Sequence, residues 1–295
     1  MSVESWDEIR TAYHVARVGT VSGAAEALGV HHATVIRHVD ALEARLGVRL
    51  FQRHARGYTP TEAGEDLLRV ARATDDQFAQ LVNRIRGGGR SVTGELVVTA
   101  LPGLAPLLVP TLDRFRTAHP EVVLRLLTDT RLLRLEYGEA HVAIRAGARP
   151  QEPDNVVQPL ARMRHGLYAA RSYAEARGVP ADENSFAGHV FVGADNEETP
   201  VPFLRWLARS VPHEAIRWRS GDITALEDAV IAGAGLGFVA QWRALRHRDL
   251  VCVLPPRAEW DVPLWLVTHV DLHRSAKVQA ALAHLKAEAE HWQMG

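Results

Sequence analysis

The sequence predicts three structural parts in succession: a helical N-terminal segment, one long helix and an α/β domain. Residues 1–58 show short helical patterns that are separated by Gly-containing turns. Residues 59–90 show one continuous helical pattern, with Thr59 or Thr61 available as its cap and a run of glycines at its end. From Thr93 onward, short β-like runs alternate with helical stretches. The predicted strands are GELVVTA, VVLRLLT, AHVAIRAG, HGLYAA, HVFVGA, AIRWRSG, GLGFVAQ, LVCVLP and VPLWLVTH. This alternation predicts an α/β domain with a mostly parallel sheet.

The composition is that of a globular protein, with 47% hydrophobic and 23% charged residues and a formal net charge of −1. A chain so close to neutral can bind nucleic acid only through a local basic patch. Cys252 is the single cysteine, so an intramolecular disulfide is impossible. No apolar run approaches the roughly 20 residues of a membrane span, and the N-terminus is acidic where a signal peptide is basic. We therefore expect a cytoplasmic protein with no membrane partner.

Two helices joined by a tight turn are predicted within the segment GTVSGAAEALGVHHATVIRHVDALE. Gly29 permits the turn between them, and small or apolar residues line one face of each helix. These facing residues are Ala24, Ala25 and Leu28 on the first helix and Val35, Val39 and Leu42 on the second. The arrangement is typical of a helix-turn-helix, although from these residues alone a plain helical hairpin fits equally well.

The segment after the second helix, LEARLGVRLFQRHARGYTPTEAG, resembles a signature of the LysR-type transcriptional regulators almost position by position. The matching residues are Leu42, Glu43, Leu46, Gly47, Leu50, Phe51, Arg53, Arg56, Gly57, Thr61, Ala63 and Gly64. Pro60 stands where the family usually has Leu. The segment AYHVARVGTVSGAAEALGV is likewise similar to the family's first two helices, with Tyr13 where Phe is more common.

The resemblance implies an architecture for the whole chain. It implies an N-terminal all-α winged helix-turn-helix over residues 1–58 and a linker and dimerisation helix over residues 59–90. An effector-binding domain would follow over residues 91–295, with a two-lobed, periplasmic-binding-protein-like α/β fold. Its first lobe is expected at about residues 92–162 and 264–295, and its second lobe at about residues 163–263.

The recognition helix departs from the family pattern, because His31 and His32 stand where the family usually has Ser and Gln. His31 is a poorer N-cap than Ser. The histidines lack the i, i+3 or i, i+4 spacing of a two-histidine metal site on a helix, so we predict no metal. We predict instead that the helix contacts double-stranded DNA. A solvated surface position remains an equal alternative for His31 and His38.

A local basic excess supports this prediction. Residues 31–60 hold five arginines, namely Arg37, Arg45, Arg49, Arg53 and Arg56, against Asp40 and Glu43, so 5 − 2 gives +3. Arg45 and Arg49 are expected to be solvated or paired with Glu43, whereas Arg53 and Arg56 flank the expected wing. The predicted DNA-contacting residues are Ser22, His31, His32, Thr34, Arg37, His38, Arg53 and Arg56.

The long helix carries a heptad-like seam of Leu67, Ala71, Thr74, Phe78, Leu81 and Ile85, spaced 4, 3, 4, 3, 4. We predict that it pairs with a second copy in a homodimer or homotetramer, with Leu67, Phe78, Leu81 and Ile85 as the dimerisation residues. The alternative is a helix that packs on its own domain.

The strand ends of the α/β domain indicate where a ligand would bind, because such folds bind ligands beyond the carboxyl ends of their strands. We predict an unknown small-molecule effector between the lobes, contacted by Thr99, Ala100, Thr128, Arg145, Thr199 and Phe203. Arg145 suits an anionic ligand, but an ion pair with a nearby carboxylate is at least as compatible with the sequence. The segment AGAGLGF, residues 232–238, indicates close packing and not a phosphate loop.

Alternative functions remain open. The chain shows no nucleophile elbow, metal signature or phosphate loop, so we predict no catalytic residue, no enzyme activity and no cofactor. A small-molecule enzyme would require turnover, and a regulator without ligand would use its C-terminal domain only to oligomerise. Cys252 lies in the apolar run LVCVLP, which predicts a buried structural cysteine and not a redox sensor.

Overall fold

The structure is a computed structural model that describes residues 5–54, 57–85, 92–129, 131, 133–196 and 198–292. The chain divides into two compact units. The N-terminal unit comprises Met1–Ser91 with Leu133–Ala140, and the C-terminal unit comprises Val92–Leu132 with His141–Gly295. The short segment Leu133–Ala140 therefore groups with the N-terminal unit, although the sequence prediction placed it in the effector-binding domain.

The described part of the N-terminal unit consists of four α-helices and one hairpin, with a short 3₁₀ turn at Leu135–Tyr137. The helices are α1 (Trp6–Val18), α2 (Val21–Leu28), α3 (His32–Leu46) and α4 (Glu62–Ile85). The hairpin joins β1 (Phe51–His54) to β2 (Gly57–Pro60) in antiparallel register. The hairpin adds two short strands to a segment that the resemblance described as all-α. It occupies the position of the expected wing.

The helix-turn-helix core has the packing that the sequence predicted. Ala24, Val35 and Val39 are fully buried, since small residues on α2 let α3 approach closely. Gly29 ends α2 with a φ of 66°, a left-handed conformation that favours glycine. Thr20 caps α2 by accepting a hydrogen bond from the Gly23 amide at 3.2 Å.

The long helix α4 begins after Thr61, which settles the choice between the two predicted caps. The Thr61 hydroxyl accepts from the Gly64 amide at 3.3 Å and donates to the Arg49 carbonyl at 2.7 Å. Leu67 packs against the helix-turn-helix core. The glycines that were predicted to end the helix, Gly87 to Gly89, lie outside the described residues.

The first lobe of the C-terminal unit is a five-stranded sheet in the order β4-β3-β5-β12-β6. Its strands are β3 (Gly94–Ala100), β4 (Val122–Thr128), β5 (Val142–Ala146), β6 (Asn155–Met163) and β12 (Val262–His269). Helices α5 (Ala105–Ala118), α10 (Val270–His273) and α11 (Ala276–Ala289) accompany it. Fully buried side chains such as Leu108 and Phe115 form the core of this lobe together with Leu285.

The second lobe follows directly after Met163. Its strands are β7 (His165–Ala170), β8 (Phe191–Ala194), β9 (Ile216–Ser220), β10 (Gly237–Ala240) and β11 (Leu250–Leu254). Its helices are α6 (Arg171–Arg177), α7 (Pro202–Ser210), α8 (Ile223–Ile231) and α9 (Gln241–Ala244). The strand orders are β10-β7-β11 in one sheet and β8-β9 in the other. An aromatic core that includes Phe191, Phe203 and Trp260 fills this lobe.

The prediction of a mostly parallel sheet is wrong for the described part of the chain. Strand β3 pairs in parallel with β4 and β5, and β8 with β9, but β12 and β7 are each antiparallel to both of their neighbours. The strand β12 is antiparallel to its neighbours because the chain returns from the second lobe and enters the sheet of the first lobe in the direction opposite to β5 and β6. Within the described residues, no helix combines the length and the apolar character needed to cross a membrane.

Candidate DNA-contacting surface and ligand site

The N-terminal half of α3 presents several of the predicted side chains to solvent. His31, His32 and Arg37 are exposed, and Ser22 is exposed on α2. Thr34 is half-buried beside them. Arg37 forms no ion pair with any of the residues that the structure describes, so its guanidinium is available to a ligand outside the chain.

The start of α3 lacks a side-chain cap, as the sequence predicted. His31 occupies the N-cap position with φ −71° and ψ 145°, and its ring makes no hydrogen bond to the helix amides. The His31 carbonyl nevertheless accepts from the Thr34 amide at 2.9 Å. The first turn is therefore held by backbone hydrogen bonds without the stabilisation that a Ser side chain supplies.

His38 is placed differently from the other histidines of α3. Its ring is half-buried, and its Nδ1 lies 2.9 Å from the Thr11 hydroxyl oxygen on α1. The Thr11 hydroxyl already donates to the Asp7 carbonyl at 2.6 Å, so Nδ1 must carry the proton and donate to Thr11. Only Nε2 remains for DNA. The main role of His38 is therefore to link α3 to α1 by this hydrogen bond.

Arg53 on β1 is also held within the protein. Its Nη2 lies 2.5 Å from Asp40 Oδ1 and 2.8 Å from Glu43 Oε2, and its guanidinium sits 5.2 Å from the centre of the Tyr58 ring. Arg56, the other arginine predicted at the wing, lies outside the described residues. Arg53 is thus partly neutralised by two carboxylates of the recognition helix, which the sequence pattern did not indicate.

Glu43 is the buried acceptor at the centre of this network. It accepts from the amides of Leu50 and Phe51 and from the guanidinium groups of Arg49 and Arg53. Burial favours the neutral carboxyl, but these four hydrogen bonds to the charged form outweigh it and lower the pKa of Glu43. Arg49 pairs with Glu43 as predicted.

The other arginine that was expected to be solvated or paired with Glu43 has a different partner. Arg45 pairs with Glu8 of α1. Helix α3 is therefore tied to α1 by this ion pair as well as by the hydrogen bond of His38.

The predicted ligand residues at the ends of β3 and β4 do not share one surface. The register pairs Thr128 with Ala100 and Thr99 with Leu127. Because successive side chains of a strand point to opposite faces, the hydroxyls of Thr99 and Thr128 lie on opposite faces of the sheet. Thr128 is exposed, whereas Thr99 and Ala100 are fully buried. The expectation that the two threonines line one cleft wall is wrong.

Thr99 and Arg145 do share a face. Thr99 pairs with Ala143 of β5, and Arg145 lies two residues further along that strand, so alternation returns it to the same side. Arg145 is half-buried, and burial lowers the pKa of its guanidinium while the charge of Glu152 acts in the opposite direction. The Thr99 hydroxyl has no hydrogen-bond partner among the described residues.

The two predicted contacts from the second lobe belong to its interior. Phe203 is 2% exposed and stacks on His165, with 4.1 Å between ring centres. The Thr199 hydroxyl accepts from the Val201 amide at 3.3 Å and is buried at the start of α7. Phe203 is therefore a core residue and not a ligand contact, because its ring is buried in the aromatic packing of this lobe.

His165 is a buried polar residue that the sequence did not single out. It follows directly on the passage between lobes, and its Nδ1 lies 3.1 Å from the Met163 carbonyl. The Trp260 backbone, in the second passage between lobes, lies against this ring and favours its protonated form. Complete burial lowers the pKa of His165 to about 3, so the ring is neutral at physiological pH.

The exposed apolar face of α4 differs from the predicted seam. Leu67 faces the helix-turn-helix core, while Val70, Phe78 and Val82 are 50%, 50% and 42% exposed. The Phe78 ring meets the Trp6 ring edge to face, with centres 6.0 Å apart. The side chains of Leu81 and Ile85 lie outside the described part of the structure. Leu67 is therefore partly buried against the helix-turn-helix core of its own chain, because α1 packs against this end of α4.

The prediction that Cys252 is a buried structural residue is wrong. Cys252 is exposed on β11 although Leu254, two residues further on, is buried, because an irregularity between these two residues interrupts the alternation of side chains. In the described part of the chain, no group of three or more His, Cys, Asp or Glu side chains is arranged to hold a metal ion.

Two family models together match most of the chain. The model described as bacterial regulatory helix-turn-helix protein, lysR family, matches residues 6–65, and the model described as LysR substrate binding domain matches residues 89–290. The HTH-type transcriptional activator IlvY of Salmonella typhimurium is 36% identical over 241 residues, covering 79% of this chain and 81% of IlvY. The regulator CrgA of Neisseria meningitidis is 28% identical over 188 residues, covering 63% of this chain and 62% of CrgA.

Solved structures show the same fold. A full-length OxyR variant from Pseudomonas aeruginosa matches with a TM-score of 0.69 at 18% identity, covering 100% of this chain and 97% of that chain. Full-length CbnR in complex with its target DNA matches with a TM-score of 0.52 at 24% identity, covering 97% of this chain and 99% of that chain.

Proposed function

The chain belongs to the LysR family of bacterial transcriptional regulators, and on that premise we propose how its two units divide the work. The N-terminal unit binds double-stranded DNA through α3 and the wing, and the C-terminal unit binds a small molecule that controls the regulator. We also propose that the protein is cytoplasmic, has no cofactor and is not an enzyme. The relation to regulators supports each of these points.

The observation that carries the DNA proposal is the exposed surface at the start of α3. His31, His32 and Arg37 are exposed there, and the helix is long enough to enter a major groove. Arg37 can bind a guanine edge with two parallel hydrogen bonds, which a histidine cannot do. The structure of CbnR with its target DNA shows that a protein of this fold binds DNA. We therefore assign base recognition to His32 and Arg37, and a supporting position to Ser22 and Thr34.

The DNA proposal is tested by selecting duplexes from a randomised pool with the purified chain and repeating the selection with His32→Gln. We expect His32→Gln to change the selected sequence, because Gln reads adenine with an amide whereas His offers a single ring nitrogen. Affinity for unrelated duplex DNA should stay within about twofold, since no phosphate-neutralising charge is altered. Sequencing of the selected pools and binding isotherms supply the measurement.

His31→Ser is the matched control, because it changes the neighbouring histidine on the same turn. Ser can cap α3, so the free energy of unfolding should rise by about 0.5–1 kcal/mol while the selected sequence stays the same. If His32→Gln selects the same duplexes as the wild-type chain, His32 does not read bases. If Arg37→Ala also selects them with unchanged affinity, the exposed face of α3 is not the DNA-contacting surface.

The observation that carries the ligand proposal is the buried hydroxyl of Thr99 at the carboxyl end of β3, which has no hydrogen-bond partner in the part of the chain that the structure describes. A buried hydroxyl without a partner costs free energy, and a bound ligand would supply the missing hydrogen bond. Arg145 on the same face adds a positive charge, which suits an anionic effector. We accordingly retain Thr99 and Arg145 as ligand residues, and not Ala100, which lies on the opposite face of the sheet, or Thr199, which is buried in the second lobe.

Thr99→Val tests this assignment, with Thr128→Val as the matched control on the opposite face. Without ligand, Thr99→Val should raise the free energy of unfolding by about 1 kcal/mol, because the orphaned hydroxyl is gone. Metabolites that stabilise the wild-type chain in a thermal-shift screen should stabilise Thr99→Val much less and Thr128→Val equally well. Equal stabilisation of both variants would remove Thr99 from the site. A chain that no metabolite stabilises would favour a C-terminal unit that only oligomerises.

We also propose that the protein assembles as a homodimer or homotetramer. Helix α4 exposes an apolar surface, and the hydration of such a surface is unfavourable. The exposed residues are Val70, Phe78 and Val82, with Trp6 beside them. Phe78 and Val82 are four residues apart and therefore lie side by side on α4, whereas Val70 lies about 120° around the helix from Val82. A second α4 helix would cover the patch at Phe78 and Val82.

A further inference from the structure

The wing is joined to the recognition helix by one buried carboxylate. Glu43 Oε1 lies 2.8 Å from the Leu50 amide nitrogen and 3.1 Å from the Phe51 amide nitrogen. Glu43 Oε2 lies 2.7 Å from Arg49 Nη1 and 2.8 Å from Arg53 Nη2. Each oxygen therefore serves two donors, and all four donors belong to the start of the wing.

The two backbone amides need this acceptor. Leu50 and Phe51 are 1% and 3% exposed, so water cannot satisfy their amides. On the other side, a Cβ at Gly64 would lie 2.0 Å from the Leu50 carbonyl oxygen, so α4 packs directly on the same residue. The start of the wing is thus fixed between α3 and α4.

The same carboxylate also sets the charge of the wing. Arg49 is 72% exposed in its side chain and Arg53 is 32% exposed, and both lie against Glu43, which is 3% exposed. Without Glu43, both arginines would be attracted to any phosphate within reach, whatever the DNA sequence. Pairing with a fixed carboxylate restrains this sequence-independent attraction.

We propose that Glu43 is a positioning residue for DNA recognition, which fixes the wing relative to α3 and restrains its two arginines so that the regulator distinguishes its operator from other DNA. This inference rests on the proposed function, in which α3 and the wing contact DNA. It assigns to Glu43 and Arg53 a role inside the protein, where the sequence alone suggested that Arg53 contacts the nucleic acid.

Glu43→Gln separates this role from simple electrostatics. A carboxylate accepts on both oxygens, whereas an amide accepts only on one and donates from the other side. The substituted amide must therefore direct its own N–H groups either at the two backbone amides or at the two arginines. Asp40→Asn is the matched control, because Asp40 also pairs with Arg53 and carries one negative charge. It differs in being 49% exposed and in accepting from no backbone amide among the described residues of the wing.

The experiment measures binding of the full chain to the duplex that the wild-type chain selects and to a scrambled duplex, over a salt series. For Glu43→Gln we expect affinity for the selected duplex to fall by about tenfold, as for loss of hydrogen bonds to a charged group. Affinity for the scrambled duplex should stay the same or rise, with a salt dependence steeper by up to about one unit. Asp40→Asn should strengthen binding to both duplexes alike and keep their ratio.

Hydroxyl-radical footprinting on the selected duplex supplies the second measurement. Glu43→Gln should lose protection at the flanks, where the wing reaches, and keep protection at the positions that α3 covers. Equal loss of both, or a ratio of affinities like that of Asp40→Asn, would overturn the proposal.

If the Glu43→Gln variant does not fold, the same measurements are made on Glu43→Asp. It keeps the charge but is one methylene shorter, so it should lose the flanking footprint without a change in salt dependence. A folded Glu43→Asp variant with the wild-type ratio and footprint would overturn the positioning role. A wild-type chain that selects no duplex would refute DNA binding itself, which is a different outcome.

Discussion

Phe78→Glu is expected to separate the assembled protein into monomers and to weaken DNA binding by about a hundredfold or more, because two linked DNA-binding units gain that much from bivalent binding. The Phe78 ring is 50% exposed and meets the Trp6 ring edge to face on one side. A charged carboxylate at this position would have to be desolvated when a second α4 helix covers it. Light scattering and a binding isotherm on the selected duplex measure the two effects together.

Val179→Glu is the matched control for this variant. Val179 is an apolar residue of the C-terminal unit with 40% exposure, so it adds the same charge away from α4. It should leave both the molar mass and the DNA affinity unchanged. If Phe78→Glu keeps the molar mass of the wild-type chain, the exposed face of α4 is not the assembly surface, and a native monomer at micromolar concentration would refute assembly as a whole.

The second large effect is expected from acid. His165 is fully buried with a pKa of about 3 in the folded protein, whereas an unfolded histidine titrates near 6.5. Between these two values the unfolded chain binds the additional proton, so the free energy of unfolding falls as the pH decreases from 6.5 towards 3. The loss from this residue should reach about 2 kcal/mol at pH 5, and it is absent above pH 6.5.

His165→Gln measures this contribution, because the amide can donate to the Met163 carbonyl but does not titrate. Urea unfolding followed by tryptophan fluorescence should show a shallower loss of stability between pH 6.5 and 5 for the variant than for the wild-type chain. The comparison at pH 7.5 is the control, since the side chain at position 165 is neutral there in both proteins. Any difference in the free energy of unfolding at this pH reflects packing against Phe203. Parallel pH profiles would contradict the assignment of the acid sensitivity to His165.

The sequence by itself determined the parts of the fold that depend on local patterns. The segments GELVVTA, VVLRLLT, HGLYAA and VPLWLVTH coincide with β3, β4, β7 and β12, because an apolar run bounded by turn residues has few other ways to bury its side chains. The helix-turn-helix could be predicted for the same reason. Ala24 and Val35 supply its packing and Gly29 its turn, all within a dozen residues. The uncapped His31 could also be recognised, since capping depends on one residue and its neighbours.

The strand β6 escaped prediction because its pattern is not that of a strand. NVVQPLARM holds a proline and has no clear alternation, and its side chains are mostly half-buried. Pairing with β12 along most of its length supplies the stability that its own sequence does not indicate. A local pattern contains no information about the partner that a strand will find.

The roles of the individual polar residues were decided only by the tertiary structure. The sequence identified Arg53, His38 and Thr128 as residues able to bind a partner, but the fold gave the first two an internal partner and placed the third on the opposite face from Thr99. A hydrogen bond or ion pair depends on the position of both groups to within a few tenths of an ångström, and these partners lie far apart in the chain or on different elements. The periodicity of the sequence determines which face of a helix or strand is buried. Which group lies opposite a given polar side chain is determined only when the helices and strands pack against one another.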